Sequence, residues 1–312
     1  MKGSGINKRA GHRGLIALSI PTLLWYIAFS YLPMFGIVIA FKRYRPVPGK
    51  NFIYNLFAAS PWVGGQNFRF LFLNPQMLSV IRNTLAYNLA FLVIDTILPV
   101  ALAILLSYLY SSKLRNFAQT TMMLPHFMSW VVVSYFLYAF LSTDRGIINN
   151  IIISGGQEAV RWYQEPSAWP VILMITHTWK AYGYATVMHM AYIMSIDPTL
   201  YDSAMIDGAS VRQVIVNITL PLLRPIILVL LILNLGGILN TDFGLFYQAT
   251  RNSGSILSVT ETIDIYVYKA LMEQANYGYS AAASLLQNGI GCLFLLAANL
   301  IIKKIAPEEG VL

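Results

Sequence analysis

Residues 201–221 read YDSAMIDGASVRQVIVNITLP, whose residue types and spacing suit a surface element that docks to another protein or rests on lipid headgroups. Just upstream, Asp197-Pro198 opens a helix, since Asp caps well and proline fits the first helical position. Asp202 adds charge, and Ser203 and Ala204 are small enough to let another surface approach closely. Gly208, between Asp207 and Ala209, interrupts the helical pattern, where its freedom at positive φ permits a sharp turn. Ser210 and Gln213 make a capping-box pair that opens a second short helix. Val211, Val214, Ile215 and Ile218 give that helix an apolar face, and Leu220-Pro221 leads into the next apolar run. A rigid helix–glycine–helix unit at a surface is what docking requires. Periodicity alone equally allows a connection that rests on lipid headgroups.

A second group of polar residues sits inside apolar runs. Asp95 and Lys180 each fall near the middle of one, and an ionisable group at bilayer centre costs about 2.5–3.5 kcal/mol on the mildest scale. They are expected to face a translocation path or each other, or to be satisfied at a helix interface. His177, Lys180, Ala181, Tyr184 and Met188 recur at helical spacing on one side. Aromatic faces with hydrogen-bonding tips suit sugars, although packing explains them as well. Asn234 and Asn240 flank Gly236-Gly237, which reads as hydroxyl recognition at a kink or as helix packing through small residues. Gln287 and Asn288 carry the same ambiguity, and Trp169 is expected to be an interfacial anchor. His177 and His189 have no convergent carboxylate, so no metal site is expected. The sequence holds no G-x-x-x-x-G-K-[ST] phosphate loop, because Gly49-Lys50 is followed by Asn51.

The elements that position these residues are membrane helices. The 312 residues are 57% hydrophobic and 11% charged, where soluble domains carry about a quarter charged residues. A crossing takes about 20 apolar residues, and backbone polar groups at that depth must be satisfied within the segment. Six segments qualify: 15–41, 83–109, 120–141, 169–194, 220–240 and 281–302. The first follows Lys2, Lys8, Arg9 and Arg13 but is too long for a signal-peptide core. With the N-terminus inside, Lys and Arg divide ten against ten between the two faces, so charge leaves the orientation open. The net charge of +8 is dispersed beside apolar segments, which points to lipid headgroups and not to nucleic acid. Cys292 stands alone and cannot form an internal disulfide.

The loop closely resembles the cytoplasmic signature E-A-A-x3-G-x9-I-x-L-P of binding-protein-dependent ABC importer permeases. Asp202, Ser203 and Ala204 stand at the E-A-A positions, Gly208 follows after three residues, and Ile218, Leu220 and Pro221 follow after nine more. Asp replaces Glu and Ser replaces the first Ala. Residues 31–41, 82–85, 124–130, 242–247, 251–254 and 262–268 look like the oligosaccharide and polysaccharide permeases served by lipoproteins.

The resemblance implies an all-α integral membrane chain of about six transmembrane helices with the type I importer permease fold. It implies a bacterial cytoplasmic membrane protein with both termini cytoplasmic. Residues 1–41 would be the N-terminal tail and first helix, 42–82 an external loop, 83–302 a permease core with the coupling loop 195–221, and 303–312 a cytoplasmic tail. Asp202, Ser203, Ala204, Asp207, Gly208, Ala209, Ile218, Leu220 and Pro221 would contact an ATPase. Asp95, His177, Lys180, Tyr184, Asn234 and Asn240 would line the path. The implied partners are a second homologous permease, two ATPases and an external solute-binding protein. ATP and magnesium would be used by the ATPases, with no cofactor on this chain. Rival readings are a secondary transporter, which should show repeated halves or broken helices, and a multi-pass membrane enzyme, for which Glu261, Asp264 and Glu273 are too scattered.

Overall fold

The structure is a computed structural model that describes residues 18–305. Lys2, Lys8, Arg9 and Arg13, the start of the first expected span, and residues 306–312 of the expected cytoplasmic tail lie outside the described residues. Among the described residues there is no β-strand, only an isolated antiparallel bridge between Lys42 and Trp62.

Two compact units emerge. One takes the described residues up to Phe70 together with Ala270–Leu285; the other takes Leu71–Lys269 and the residues from Leu286 on. In the first, helix α1 (Leu18–Phe41) is apolar and exposed along nearly its whole length. It ends in a polar segment that leads to α2 (Gln66–Leu73). Asn67, itself buried, pins the turn after α1 by donating Nδ2 to the Ala40 and Lys42 carbonyls at 2.9 and 3.0 Å.

The second unit begins with α3 (Pro75–Ser107), 33 residues long. Its start lies eight residues ahead of the expected boundary because Asn74 caps it, accepting the Gln76 amide at 3.0 Å, and Pro75 occupies the first turn. α4 (Ser112–Phe127) and α5 (Trp130–Leu141) replace the single expected span 120–141. They meet at 97° across Met128 and Ser129. The break falls not at Pro125 but at Ser129, whose Oγ accepts the Val132 amide and starts a new helix. After α6 (Ile147–Ser154) comes α7 (Trp169–Met194), then α8 (Pro198–Ile206) and α9 (Val211–Gly236).

The expected short second helix of the loop and the fifth span are therefore one 26-residue helix. Its turns widen over Ile215–Thr219, just ahead of Pro221, which has no N–H to donate to the preceding turn. α10 (Gly244–Ala249), α11 (Ile263–Met272) and α12 (Tyr277–Ile305) complete the chain.

Among the described residues four helices, α1, α3, α9 and α12, are long and apolar enough to cross a membrane, and the bent α4–α5 pair, counted as one span, brings the number to five. α7 has the length but is interrupted by His177, Lys180 and His189. α3 and α7 form the axis of this unit. At one end Tyr87, Phe91, Trp169, Leu173 and Phe246 share a core, and at the other Ala103, Ile104, Met190, Ile193 and Leu223 do. Trp169 is thus no interfacial anchor: it is fully buried, and its indole N–H donates to the Trp162 carbonyl at 2.7 Å. α7 crosses α4 at Gly183, where a Cβ would overlap the Met122 carbonyl.

Candidate functional site

The 197–221 segment is built almost wholly from local hydrogen bonds. Asp197 accepts the Thr199 amide at 2.9 Å, which holds its carboxyl below the usual aspartate range and fixes the start of α8. At the other end the Ala209 amide reaches back to the Ala204 carbonyl at 2.9 Å, closing the helix around Gly208. Gly208 has φ +74° with nothing within 4 Å of a would-be Cβ. Glycine is needed there for its backbone conformation, not for space. Ser210 and Gln213 form the expected capping box, Ser210 N–H donating to Gln213 Oε1 at 2.8 Å.

Around the turn the surface is open. Asp202, Ser203, Asp207 and Gly208 are exposed, Ala204 and Ala209 half-buried. Met205 and Ile206 are 64% and 87% exposed. The turn thus carries bare apolar side chains on a capped, locally hydrogen-bonded frame. Val214 is buried and Ile215 and Ile218 are half-buried, as an inward apolar face requires, but Val211 stays exposed at the tip. Leu220 and Pro221 are exposed on α9. Ile215 packs against the core of Ala103, Met190 and Leu223, so the turn is anchored on α3 and α7.

The polar residues inside the spans come together differently. Asp95 pairs with His177 across α3 and α7, Oδ2 to Nε2 at 2.9 Å, and the imidazole stacks on Phe91 with centroids 3.7 Å apart. Pro99, one turn on, cannot donate to the Asp95 carbonyl and leaves it open. Asp95 and Asn234 each line two cavities. One, of about 250 Å³, is walled by His126, Tyr184, Met188 and His189. The other, of about 270 Å³, is walled by Asn88, Phe91, His177, Asn240 and Asp242. The two cavities therefore adjoin at Asp95 and Asn234.

Lys180 lines neither cavity and does not meet Asp95. Its Nζ donates to the His126 carbonyl at 2.8 Å and lies 5.2 Å from the centre of the Trp130 ring. That carbonyl belongs to the last turn of α4, so Lys180 places a cation at the negative end of a helix broken at membrane depth.

Past Gly236 the chain leaves helical geometry, and long-range partners replace the lost bonds. Asn88 Nδ2 donates to the Ile238 and Asn240 carbonyls at 2.7 and 3.1 Å, and Gln287 Nε2 to the Leu239 carbonyl at 2.7 Å. Asp264 accepts both the Thr241 amide and its hydroxyl. Irregular backbone at this depth persists only where it lines a cavity or is buried in protein. Both readings of Gly236-Gly237 find a counterpart: the helix ends there and Asn240 reaches a cavity, and small residues pack closely, since a Cβ on Gly291 would overlap the Gly236 carbonyl. Gln287 serves the Leu239 carbonyl and also donates to Asp264 Oδ1 at 3.0 Å.

Sequence reasoning missed His126, stacked on Tyr184 at 4.6 Å, and Asp242, which accepts the Trp130 indole N–H at 2.7 Å. Both stand beside helix breaks, and Ser129 ahead of an apolar run was the available signal for the first.

Over residues 100–306 the chain matches the family described as binding-protein-dependent transport system inner membrane component. It belongs to that family. Protein LplB of Bacillus subtilis (strain 168) is 34% identical over 312 residues, covering 99% of this chain and 95% of that protein. The polygalacturonan/rhamnogalacturonan transport system permease protein YteP of the same organism is 33% identical over 297 residues, 95% of this permease and 89% of its relative. A chain in the crystal structure of a bacterial alginate ABC transporter, in complex with alginate pentasaccharide-bound periplasmic protein, is 31% identical. It superposes with a TM-score of 0.85 over 98% of the permease and 99% of its own length. The permease is therefore a helical, inner-membrane transport subunit with the ABC importer fold, and the rival readings as secondary transporter or membrane enzyme fall away.

Proposed function

We propose that the permease conducts oligosaccharides or polysaccharide fragments inward, driven by separate ATPase subunits that grip the turn at Gly208. The external solute-binding protein delivers the sugar, and a second homologous permease completes the pathway. ATP and magnesium act on the ATPases. Both chain termini and the Gly208 turn face the cytoplasm.

The observation that carries this reading is the continuity of α9. A capped, exposed turn with Met205 and Ile206 bare at its surface runs into one 26-residue helix, and that helix ends in irregular backbone beside Asp95 and Asn234. Displacement of the turn by a closing ATPase dimer shifts α9 along α3 and α7, and so reshapes the neck between the two cavities. At that neck Asp95 and Asn234 offer acceptors and donors to sugar hydroxyls, and His126 and Tyr184 offer flat faces to pyranose C–H groups.

Co-expression with a cognate ATPase tests the proposal. The expected result is a co-purifying complex whose ATP hydrolysis rises when binding protein and oligosaccharide are added. Uptake driven by protons or sodium in the absence of any such complex contradicts it.

A further inference from the structure

A further cavity lies within the first compact unit. It holds about 410 Å³, within the size range of small-molecule sites, and is lined by Arg43, Tyr44, Gln66, Gln274, Asn276 and Tyr277 among others. Two features mark it as a built site. Tyr44 and Tyr277 meet edge to face with centroids 5.3 Å apart, giving the cavity an aromatic wall. Asn67 beneath it is buried and tied to two backbone carbonyls, which fixes the floor. The Asn276 amide caps the end of α11 by donating to the Ala270 carbonyl at 2.8 Å, with Ala275 held at φ +51°, a conformation non-glycine residues seldom adopt. The lip is thus shaped at some conformational cost.

The chemistry of the lining is that of a sugar site with a charge preference. Side-chain amides donate and accept at once, as vicinal hydroxyls require, and tyrosine faces cover pyranose C–H patches. Arg43 is exposed, and within this unit Lys42, Arg43, Arg45, Lys50 and Arg69 outnumber the single described acid, Glu273. A field of one sign concentrates ligands of the other. A guanidinium such as that of Arg43 is suited to a carboxylate, which it can hold in a two-pronged, charge-assisted contact.

We infer that this cavity binds a uronate residue of an acidic oligosaccharide, with its carboxylate on Arg43 and its hydroxyls on Gln66, Gln274 and Asn276. The inference rests on the oligosaccharide reading above and narrows it to acidic sugars. In the proposed orientation the end of α1 and the start of α12, which bound the cavity, are external.

The test is equilibrium binding of a galacturonate trisaccharide to the full chain in lipid nanodiscs, with no binding protein present. Saturable binding is expected, weakened at least about tenfold by Arg43→Gln, as loss of a charge-assisted contact implies, and less by Arg43→Lys. Tyr277→Ala should weaken it too. A neutral trisaccharide such as maltotriose should bind more weakly and be insensitive to Arg43→Gln. Absence of saturable binding, or binding that neither Arg43→Gln nor Tyr277→Ala alters, overturns the inference. Sugar-stimulated ATP hydrolysis by the assembled transporter, measured in parallel, reports on the importer reading separately.

Discussion

The turn at Gly208, proposed to dock an ATPase, and the neck at Asp95, proposed to pass sugar, are built in opposite ways. Around Gly208, hydrogen bonds join residues two to five apart, and the surface they create is open. At the neck the partners are 82 residues apart for Asp95 and His177, and 150 apart for Asn88 and Ile238. A docking surface must hold its shape before a partner arrives, and local caps achieve that without help from the rest of the fold. A path that opens and closes must join different helices, so its contacts are necessarily long-range. α9 links the two, with one end in each.

The largest expected effect comes from Gly208→Val. A β-branched residue at φ +74° carries about 1–3 kcal/mol of backbone strain, a factor of about 5–150 in the population of the docked turn. Sugar-stimulated ATP hydrolysis should fall at least about fivefold while membrane insertion stays normal. Wild-type uptake in this variant would remove the turn from the mechanism.

Next is the neck. Asp95→Asn keeps the volume but loses the charge-assisted bond to His177, a contact in the range of about 1.5–3 kcal/mol. Its partners are 26% and 17% exposed, which argues for the lower half of that range. Uptake should drop about tenfold with complex assembly unchanged. His177→Ala should cost about as much, and the double variant little more than either alone, because both remove one interaction. Additive losses would mean that the two residues act separately.

Lys180→Met should do less. A cation at a helix C-terminus contributes about 0.3–1 kcal/mol, up to about 2 when partly buried. The expected readout is a lower melting temperature of the complex, with uptake within about threefold of wild type and Lys180→Arg close to normal. A selective loss of uptake at unchanged stability would return Lys180 to the path.

The smallest effect concerns Asp197. Its carboxyl is held below the ordinary range by the Thr199 amide, so the cap is present above the unfolded aspartate pKa of about 3.9. It is lost only as pH falls through the lower folded value. Amide exchange at the start of α8, corrected for intrinsic rates, should show protection that is flat from neutral down through mildly acidic pH. Protection already falling near pH 6 would show that another group sets the cap.

Much of the turn was legible in the sequence because its grammar is local. Asp197-Pro198, Gly208 and the Ser210–Gln213 box each name their own role within a few residues. What escaped was mechanical: Pro221 marks the widening of a continuous helix and not the start of a new one. At the neck the residues were identifiable as polar groups in apolar runs, but their partners were not. Asp95 and Lys180 looked like a pair by charge, yet Asp95 meets His177 and Lys180 meets a carbonyl exposed by the α4–α5 bend. That bend depends on Ser129, a single capping residue inside a run whose hydropathy reads as one span. Gly183 against Met122 could not be anticipated either, since only the crossing of α4 and α7 demands a residue without a side chain.

The central claim is that the Gly208 turn faces the cytoplasm in the grip of an ATPase. Its most direct test uses Met205→Cys in a Cys292→Ala background, assembled with the ATPase subunits in sealed, oriented vesicles. The account predicts labelling by an impermeant maleimide from the cytoplasmic side alone, and a cross-link to the ATPase whose yield changes between ATP and ADP. Labelling from the external side, or a reactive cysteine that never cross-links to the ATPase in either nucleotide, contradicts it.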